Sequence, residues 1–182
     1  MRVITGLARG KILKTVPGSD LVRPTSQKVK ESIFSSIQFD IEGRRILDLF
    51  AGCGQLGIEA LSRGAESAVF VDNSDVSLSV VRENLSGTPF MDKARLVRNN
   101  YHSFLLSCND MFDIAFLDPP YKSNYIKEAL PLIEKLMSVN GTVFCEHPKE
   151  VTLPETVGGL IKHKDYHFGK IYVTAYKKRD LK

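Results

Sequence analysis

Between residues 46 and 145, short runs rich in β-branched and aromatic residues alternate with longer stretches in which apolar positions recur at helical spacing. Residues 46–50 (Ile-Leu-Asp-Leu-Phe) precede a helical stretch over 56–63, and 67–71 (Ser-Ala-Val-Phe-Val) precede another over 76–85. Residues 94–97 lead to a short helix near 103–107, 112–117 (Phe-Asp-Ile-Ala-Phe-Leu) lead to a helix over 126–137, and 142–145 close the series. Strand and helix in repeated alternation predict a parallel sheet covered on both faces, because parallel neighbours need helical crossovers. The expected fold is α/β and doubly wound.

The two ends break this rhythm. Residues 160–166 and 171–176 read as strands joined through Phe168-Gly169, and without an intervening helix one of them must run against its neighbour, so the sheet is expected to end with a reversed strand. At the other end, residues 2–5 and 12–16 flank Gly6 and Gly10 and predict a hairpin carrying Arg2, Arg9, Lys11 and Lys14. Arg23-Pro-Thr25 then precedes a helix over 26–37, where Val29, Ile33, Phe34 and Ile37 share one face and Thr25 or Ser26 caps the start. No repeat, low-complexity tract or linker divides the chain, so a single domain over 1–182 is expected, with 1–24 a basic extension and 25–182 the core.

At 182 residues one hydrophobic core suffices. No apolar run approaches the ~20 residues of a membrane span, and the N-terminus lacks a signal-peptide stretch, which predicts a cytoplasmic protein. Cys53, Cys108 and Cys145 are widely spaced and form no CxxC pair, so neither a disulfide framework nor a thiolate metal site is expected. His163 and His167 have i,i+4 spacing, but their neighbours read as strand, and no metal is expected. The net charge of +4 is unevenly spread: residues 1–45 and 160–182 each carry +5, and 46–159 carry −6. Basic ends around an acidic centre suit surfaces that meet a polyanion beside a cleft for something cationic.

The glycine run Gly52, Gly54 and Gly57 satisfies GxGxxG between a strand and a helix, where a ligand can approach the backbone closely. A dinucleotide would place its pyrophosphate there, so NAD is a rival ligand. Asp48 favours another. A carboxylate near the end of a buried strand needs a partner, and S-adenosylmethionine offers an ammonium and a sulfonium without a phosphate; backbone N–H groups are the alternative partners. Asp72 ends the second strand, where it suits the two ribose hydroxyls of an adenosine, or else caps the next helix. Asn73 adjoins it, and Asn99-Asn100-Tyr101 lies where an amide or backbone N–H can meet the adenine. The cofactor set is therefore read as Asp48, Phe50, Ala51, Gly52, Gly54, Gly57, Asp72, Asn73, Asn100 and Tyr101.

Asp118-Pro119-Pro120-Tyr121 follows the fourth strand directly. Two prolines remove two backbone donors, so this turn presents carbonyls and a carboxylate without competing N–H groups. If Asp118 and the Pro119 carbonyl each accept one hydrogen of a base amino group, its nitrogen is held facing a methyl donor. Tyr121 supplies a flat face for an unstacked base.

With these motifs in place, the sequence resembles the bacterial 16S ribosomal RNA guanine-N2 methyltransferases of the RsmD type over nearly its whole length. The likeness rests on Arg2-Val-Ile-Thr-Gly6 and Gly10-Lys11, Arg23-Pro-Thr25, Glu31-Ser-Ile-Phe34 and Leu47-Asp-Leu-Phe-Ala-Gly52. It continues through Leu56-Gly-Ile-Glu-Ala-Leu-Ser-Arg-Gly-Ala65, Asn84-Leu85, Phe116-Leu-Asp-Pro-Pro-Tyr121 and Glu146. The resemblance implies a Rossmann-like, seven-stranded class I methyltransferase sheet with S-adenosylmethionine as donor. The implied substrate is one guanine N2 in a loop of 16S rRNA near the P site, within a 30S subunit or an assembly intermediate. It also implies RNA contacts from Arg2, Arg9, Lys11, Lys14, Arg23 and Thr25. A monomer is expected. The chain departs from the family pattern at Cys53, Gln55 and Asp72, the last being one methylene shorter than the usual Glu.

The rival readings are a DNA adenine or cytosine amino-methyltransferase, which usually carries an added recognition domain, and a protein-glutamine methyltransferase, which typically has Asn at the Asp118 position. A dinucleotide oxidoreductase and a non-catalytic RNA-binding assembly protein complete the alternatives.

Overall fold

The computed structural model describes residues 1–18, 26–120 and 124–180. Arg23, Thr25 and Tyr121 lie outside the described residues. Five strands, β1 (Arg45–Asp48), β2 (Ser67–Asp72), β3 (Ala94–Arg98), β4 (Phe112–Leu117) and β5 (Met137–Pro148), run parallel in the order β3-β2-β1-β4-β5. Helices α1 (Gln27–Ser36), α2 (Gln55–Ser62) and α3 (Asp75–Leu85) belong to one core layer, and α4 (Tyr101–Ser107) and α5 (Tyr125–Ile133) to the other. Leu47, Phe70, Ala115 and Phe116 are almost fully buried because both faces of the central strands are covered.

The C-terminal end carries more strand than the sequence predicts. β8 (Ile171–Lys178) pairs antiparallel with β5, β7 (Leu160–Phe168) with β8, and a two-residue β6 (Thr156–Val157) with β7. Among the described residues the sheet thus has eight strands rather than seven. β5 starts at Met137, the last residue of the expected helix, because α5 ends at Ile133 and passes through a 3-10 turn over Glu134–Leu136. Asn140, with φ at 66°, lies in the stretch where the β4–β5 register shifts.

α1 starts as expected, with the Ser26 hydroxyl accepting the Val29 N–H at 3.3 Å and Val29, Ile33, Phe34 and Ile37 in the core. The N-terminal hairpin is reduced to one bridge, Arg2 with Ile12, supported by Val3 N–H to Lys11 and Leu13 N–H to Met1, both at 2.9 Å. It is not a free extension. Val3 and Leu13 join the core beneath α1 and α2, and the rest of the segment is fastened by side chains.

Glu59 holds that fastening. It is fully buried on α2, a helix with every residue buried, and its carboxylate accepts the N–H groups of Ile4 at 2.7 Å and Thr5 at 3.1 Å. Buried Lys30 pairs with it at 3.2 Å and donates to the Arg2 carbonyl at 2.7 Å, and Arg63 adds a 2.8 Å ion pair. Burial pushes the Lys30 ammonium below its ordinary pKa, and Glu59 opposes that shift. Ser62 completes the attachment: its carbonyl accepts Leu7 N–H, and its hydroxyl accepts Ala8 N–H and donates to the Thr5 carbonyl. Gly6, at φ 87°, passes so close to Ser62 that a Cβ there would lie 1.7 Å from the carbonyl oxygen.

Glu59→Ala leaves Lys30 buried without its counter-charge and two backbone N–H groups without their acceptor. It is expected to lower unfolding free energy by about 3–5 kcal/mol, read by urea denaturation; a loss below about 1 kcal/mol would show that the network does not hold the segment.

Candidate active site

The carboxyl ends of β1, β2 and β4 lie side by side at one edge of the sheet, and the connections after them turn to opposite layers, which is where a parallel sheet forms a crevice. Three carboxylates stand there. Asp48 is the last residue of β1, Asp72 the last of β2, and Asp118 the first after β4.

Asp48 is 3% exposed, and one of its oxygens accepts the Gly57 N–H at 3.0 Å. Burial raises its carboxyl to about pKa 8 against that one hydrogen bond, and the nearby charges of Asp118 and Asp72 raise it further. Gly57 therefore acts on the carboxylate rather than on open space: its N–H points at Asp48, and a Cβ would lie 2.3 Å from the Phe70 ring. Gly52 is different. Its φ is 52°, and a Cβ there would meet nothing within 4 Å, so the loop backbone faces open space at that point. Gly54, at φ 77°, begins α2. Ala51 is buried and donates its N–H to the Val71 carbonyl at 3.0 Å, which ties the loop to β2.

Asp72 is fixed by two backbone donors, Gly52 N–H and Ser74 N–H, each at 2.9 Å. It does not cap α3; Ser74 does, accepting Ser77 N–H. A carboxylate has about four lone-pair directions, so two remain for a diol. Asn73 beside it is exposed. Asn100 caps α4 through His102 N–H at 2.8 Å, and its exposed side chain stands at the same edge.

An aromatic group stands between the ends of β1, α4 and α5. Phe50 lies 5.3 Å from Tyr101 and 6.0 Å from Tyr125 in a nearly parallel stack, and Tyr101 lies 4.9 Å from Tyr125. The Tyr101 hydroxyl donates to Glu128; burial and that carboxylate push its phenol up to about 12. Pro119 is buried and Pro120 exposed, and both border a small pocket with Asn124, Ile126, Glu146, His147 and Pro148. Arg2, Arg9 and Lys14 are exposed on the N-terminal segment; Lys11 donates to the Ser86 carbonyl at 2.8 Å, and Lys14 pairs with Glu83.

The sequence reading did not single out Asn84 as a site residue. Buried on α3, it accepts Lys14 N–H at 2.8 Å and donates to the carbonyls of Lys14 at 3.0 Å and Cys53 at 2.9 Å, so one amide joins the N-terminal segment to the glycine loop. Its sequence signal is an amide among Val80, Val81 and Leu85 on a buried helical face, where a polar group must find partners. Tyr125 and Glu128 were also missed, since only tertiary packing brings them to Phe50 and Tyr101.

These groups fit a ligand that carries an ammonium, a fixed cation and a ribose diol. They suit a pyrophosphate poorly, because three carboxylates surround the helix start where it would sit. A five-stranded parallel sheet continued by an antiparallel C-terminal hairpin, with an acidic residue ending β1 and another ending β2, defines a class I methyltransferase fold. The chain belongs to the family described as Conserved hypothetical protein 95, whose model matches residues 1–177, the family of RsmD-type 16S rRNA methyltransferases.

Among its relatives, the Bacillus subtilis protein named "Putative rRNA methyltransferase YlbH" is 44% identical over 184 residues, covering 98% of this chain and 100% of the relative. Ribosomal RNA small subunit methyltransferase D of Escherichia coli K12 is 31% identical over 180 residues, covering 98% of this chain and 90% of the relative. The solved structure of yhhF from Escherichia coli superposes with a TM-score of 0.86 at 30% identity, covering 100% and 99% of the two chains. A Thermus thermophilus 16S rRNA N2 methyltransferase, solved with AdoMet and guanosine, shares the fold at TM-score 0.74 and 20% identity, covering 90% of this chain and 45% of that one. Among the described residues no helix is long and apolar enough to cross a membrane.

The Asp48 carboxyl gives this cleft a pH signature. Its folded pKa lies above the unfolded value of 3.8, so the native state holds the proton more tightly and stability falls as pH rises from about 4 to about 8. Asp48→Asn removes that slope. The ligand-free variant is expected to melt above the parent at pH 8 by at least about 2–4 °C, the shift that 1 kcal/mol produces in a chain of this size. Scanning calorimetry between pH 5 and 8 decides it; equal slopes for the two proteins would mean Asp48 is already ionised and partnered.

Proposed function

We propose that the protein transfers a methyl group from S-adenosylmethionine to the exocyclic N2 of a guanine in small-subunit rRNA. The observation that carries this reading is the position of Asp118-Pro119-Pro120 directly after β4, beside the strand that ends in buried Asp48. The family relationship supports rRNA as the substrate, and relatives are named for small-subunit rRNA.

When bound, S-adenosylmethionine supplies an electrophilic methyl group on a sulfonium. The chain's own residues hold it and bring the base to it. Asp48 counters the positive charge, the open backbone at Gly52 lets the ligand lie close, and Asp72 accepts the ribose hydroxyls. Phe50, Ala51, Gly54, Asn73, Asn100 and Tyr101 complete the walls, with Gly57 holding Asp48 from behind.

At the base, an oxygen of Asp118 and the Pro119 carbonyl accept the two hydrogens of the amino group and fix the direction of its lone pair. Pro120 keeps the turn free of an N–H that would compete for those acceptors. Tyr121 follows immediately and is assigned the stacking face. Positioning supplies most of the rate, since the attacked carbon already carries a good leaving group. After attack the nitrogen is acidic, and a carboxylate oxygen of Asp118 takes the proton. On the RNA side, Arg2, Arg9, Lys11 and Lys14 of the N-terminal segment contact phosphates, a role the sequence also assigns to Arg23 and Thr25. A monomer acting on a 30S particle or an assembly intermediate completes the reading.

Asp118→Ala is expected to lower methyl transfer by at least about 100-fold while leaving RNA affinity and S-adenosylhomocysteine affinity within two-fold, about the scatter of such measurements. Transfer of labelled methyl, filter binding and calorimetric titration provide the three readings. Undiminished transfer would remove Asp118 from the chemistry.

A further inference from the structure

The basic C-terminal segment has no role in the cleft described above, yet the topology brings its tip to the same edge of the sheet. β8 runs antiparallel to β5, so the β7–β8 turn at Gly169 lies next to Pro148, the end of β5. Pro148 and His147 border the pocket that contains Pro119 and Pro120.

Register places three flat rings in a row across this tip. His147 on β5 pairs with Tyr172 on β8, and Tyr172 pairs with His167 on β7. The His167 and Tyr172 rings stack at 3.9 Å with 15° between planes, and His147 meets Tyr172 edge-on at 6.1 Å. Exposure rises along the row, from buried His147 through half-buried Tyr172 to exposed His167. β6 covers β7 only at Leu160 and Ile161, so β7 is an edge strand where His167 sits.

The inner end of the row is fixed. His147 Nε2 lies 2.9 Å from the Thr174 hydroxyl, which donates to Asp165 at 2.6 Å, and Nδ1 lies 2.9 Å from the Pro148 carbonyl. Asp165, the acidic group on this face, is thus engaged from within the sheet. Two exposed lysines flank the tip and are held side by side by a 3.0 Å bond from Lys149 N–H to the Lys170 carbonyl, with Glu150 adjoining Lys149. A graded row of rings with an exposed lysine on each of two backbone-bonded neighbouring segments matches the needs of single-stranded RNA, whose bases stack on flat side chains while its phosphates seek cations.

We propose that this tip is a second RNA-binding site, in which exposed His167, backed by the Tyr172 ring stacked beneath it, stacks a base flanking the target nucleotide and Lys149 and Lys170 contact the adjoining phosphates. The proposal rests on the rRNA methyltransferase reading for the identity of its ligand. It gives the base held at Asp118 and the Pro119 carbonyl a second RNA contact beyond the N-terminal segment, next to the pocket that Pro119 and Pro120 share with His147 and Pro148.

The test measures binding of transcribed small-subunit rRNA across a salt series for the parent, His167→Ala, Tyr172→Phe, and Lys149→Ala combined with Lys170→Ala. His167→Ala is expected to weaken binding about five-fold or more, and Tyr172→Phe, which keeps the ring, to bind like the parent. The double lysine variant is expected to flatten the slope of log affinity against log salt by about 1.4, or about 0.7 per phosphate contact. All substituted positions except Tyr172 are exposed, and an unchanged S-adenosylhomocysteine melting shift checks that each variant folds. Unchanged RNA affinity and slope in the variants would overturn the site, as would weakened binding to 30S particles with unchanged binding to free rRNA, which would assign the tip to a ribosomal protein. If the parent transfers no methyl group to any RNA, the functional reading fails separately, and the same binding series still decides the site.

Discussion

A carboxylate sealed at the end of the central strand sets the terms for the cleft. Asp48 has one backbone donor, Gly57, and two acidic neighbours within electrostatic reach, and water is excluded from it. In the ligand-free protein this group sits at the high end of carboxyl behaviour, and a cation bound beside it would lower it again. The same constraint explains the loop above it. Gly57 must be glycine to let α2 press against Phe70 while its N–H reaches Asp48, and Gly52 takes a positive φ with open space where a Cβ would stand.

Holding that loop is a wider task than the glycines perform alone. Asn84 ties Cys53 to residue 14, and Glu59, Lys30 and Ser62 tie residues 2–8 to α1 and α2. The N-terminal segment thus braces the glycine loop as well as presenting exposed basic residues. RNA engaging that segment and a ligand in the loop would act on groups joined by one side-chain amide. The C-terminal hairpin brings its tip next to Pro148, on the border of the pocket that contains Pro119 and Pro120.

Much of this was legible in the chain. Alternating periods located all five parallel strands, and Asp48, Asp72 and Asp118 could be placed at their ends because a strand's last residue in such a sheet faces the carboxyl edge. The glycine loop was readable from spacing alone. The Glu59 network was not, because a helix residue that accepts N–H groups from residues 4 and 5 leaves no periodic trace. Nor was the row of rings at the C-terminal tip, since it depends on the β5–β8–β7 register, which no local pattern specifies. Two-residue β6 was too short to signal, and β5 took the last residue of the predicted helix after α5 tightened into a 3-10 turn over Glu134–Leu136. Long-range partnership of side chains with backbone is where local reading stops.

The central claim, that this cleft brings an S-adenosylmethionine methyl to a guanine amino group of small-subunit rRNA, has one direct measurement. The purified protein is incubated with methyl-labelled donor and either 30S particles or free 16S rRNA, and the RNA is then digested to nucleosides. The account predicts label in N2-methylguanosine at one site per particle. Label in a different nucleoside would contradict the base assignment, and no label in either RNA would contradict the account as a whole.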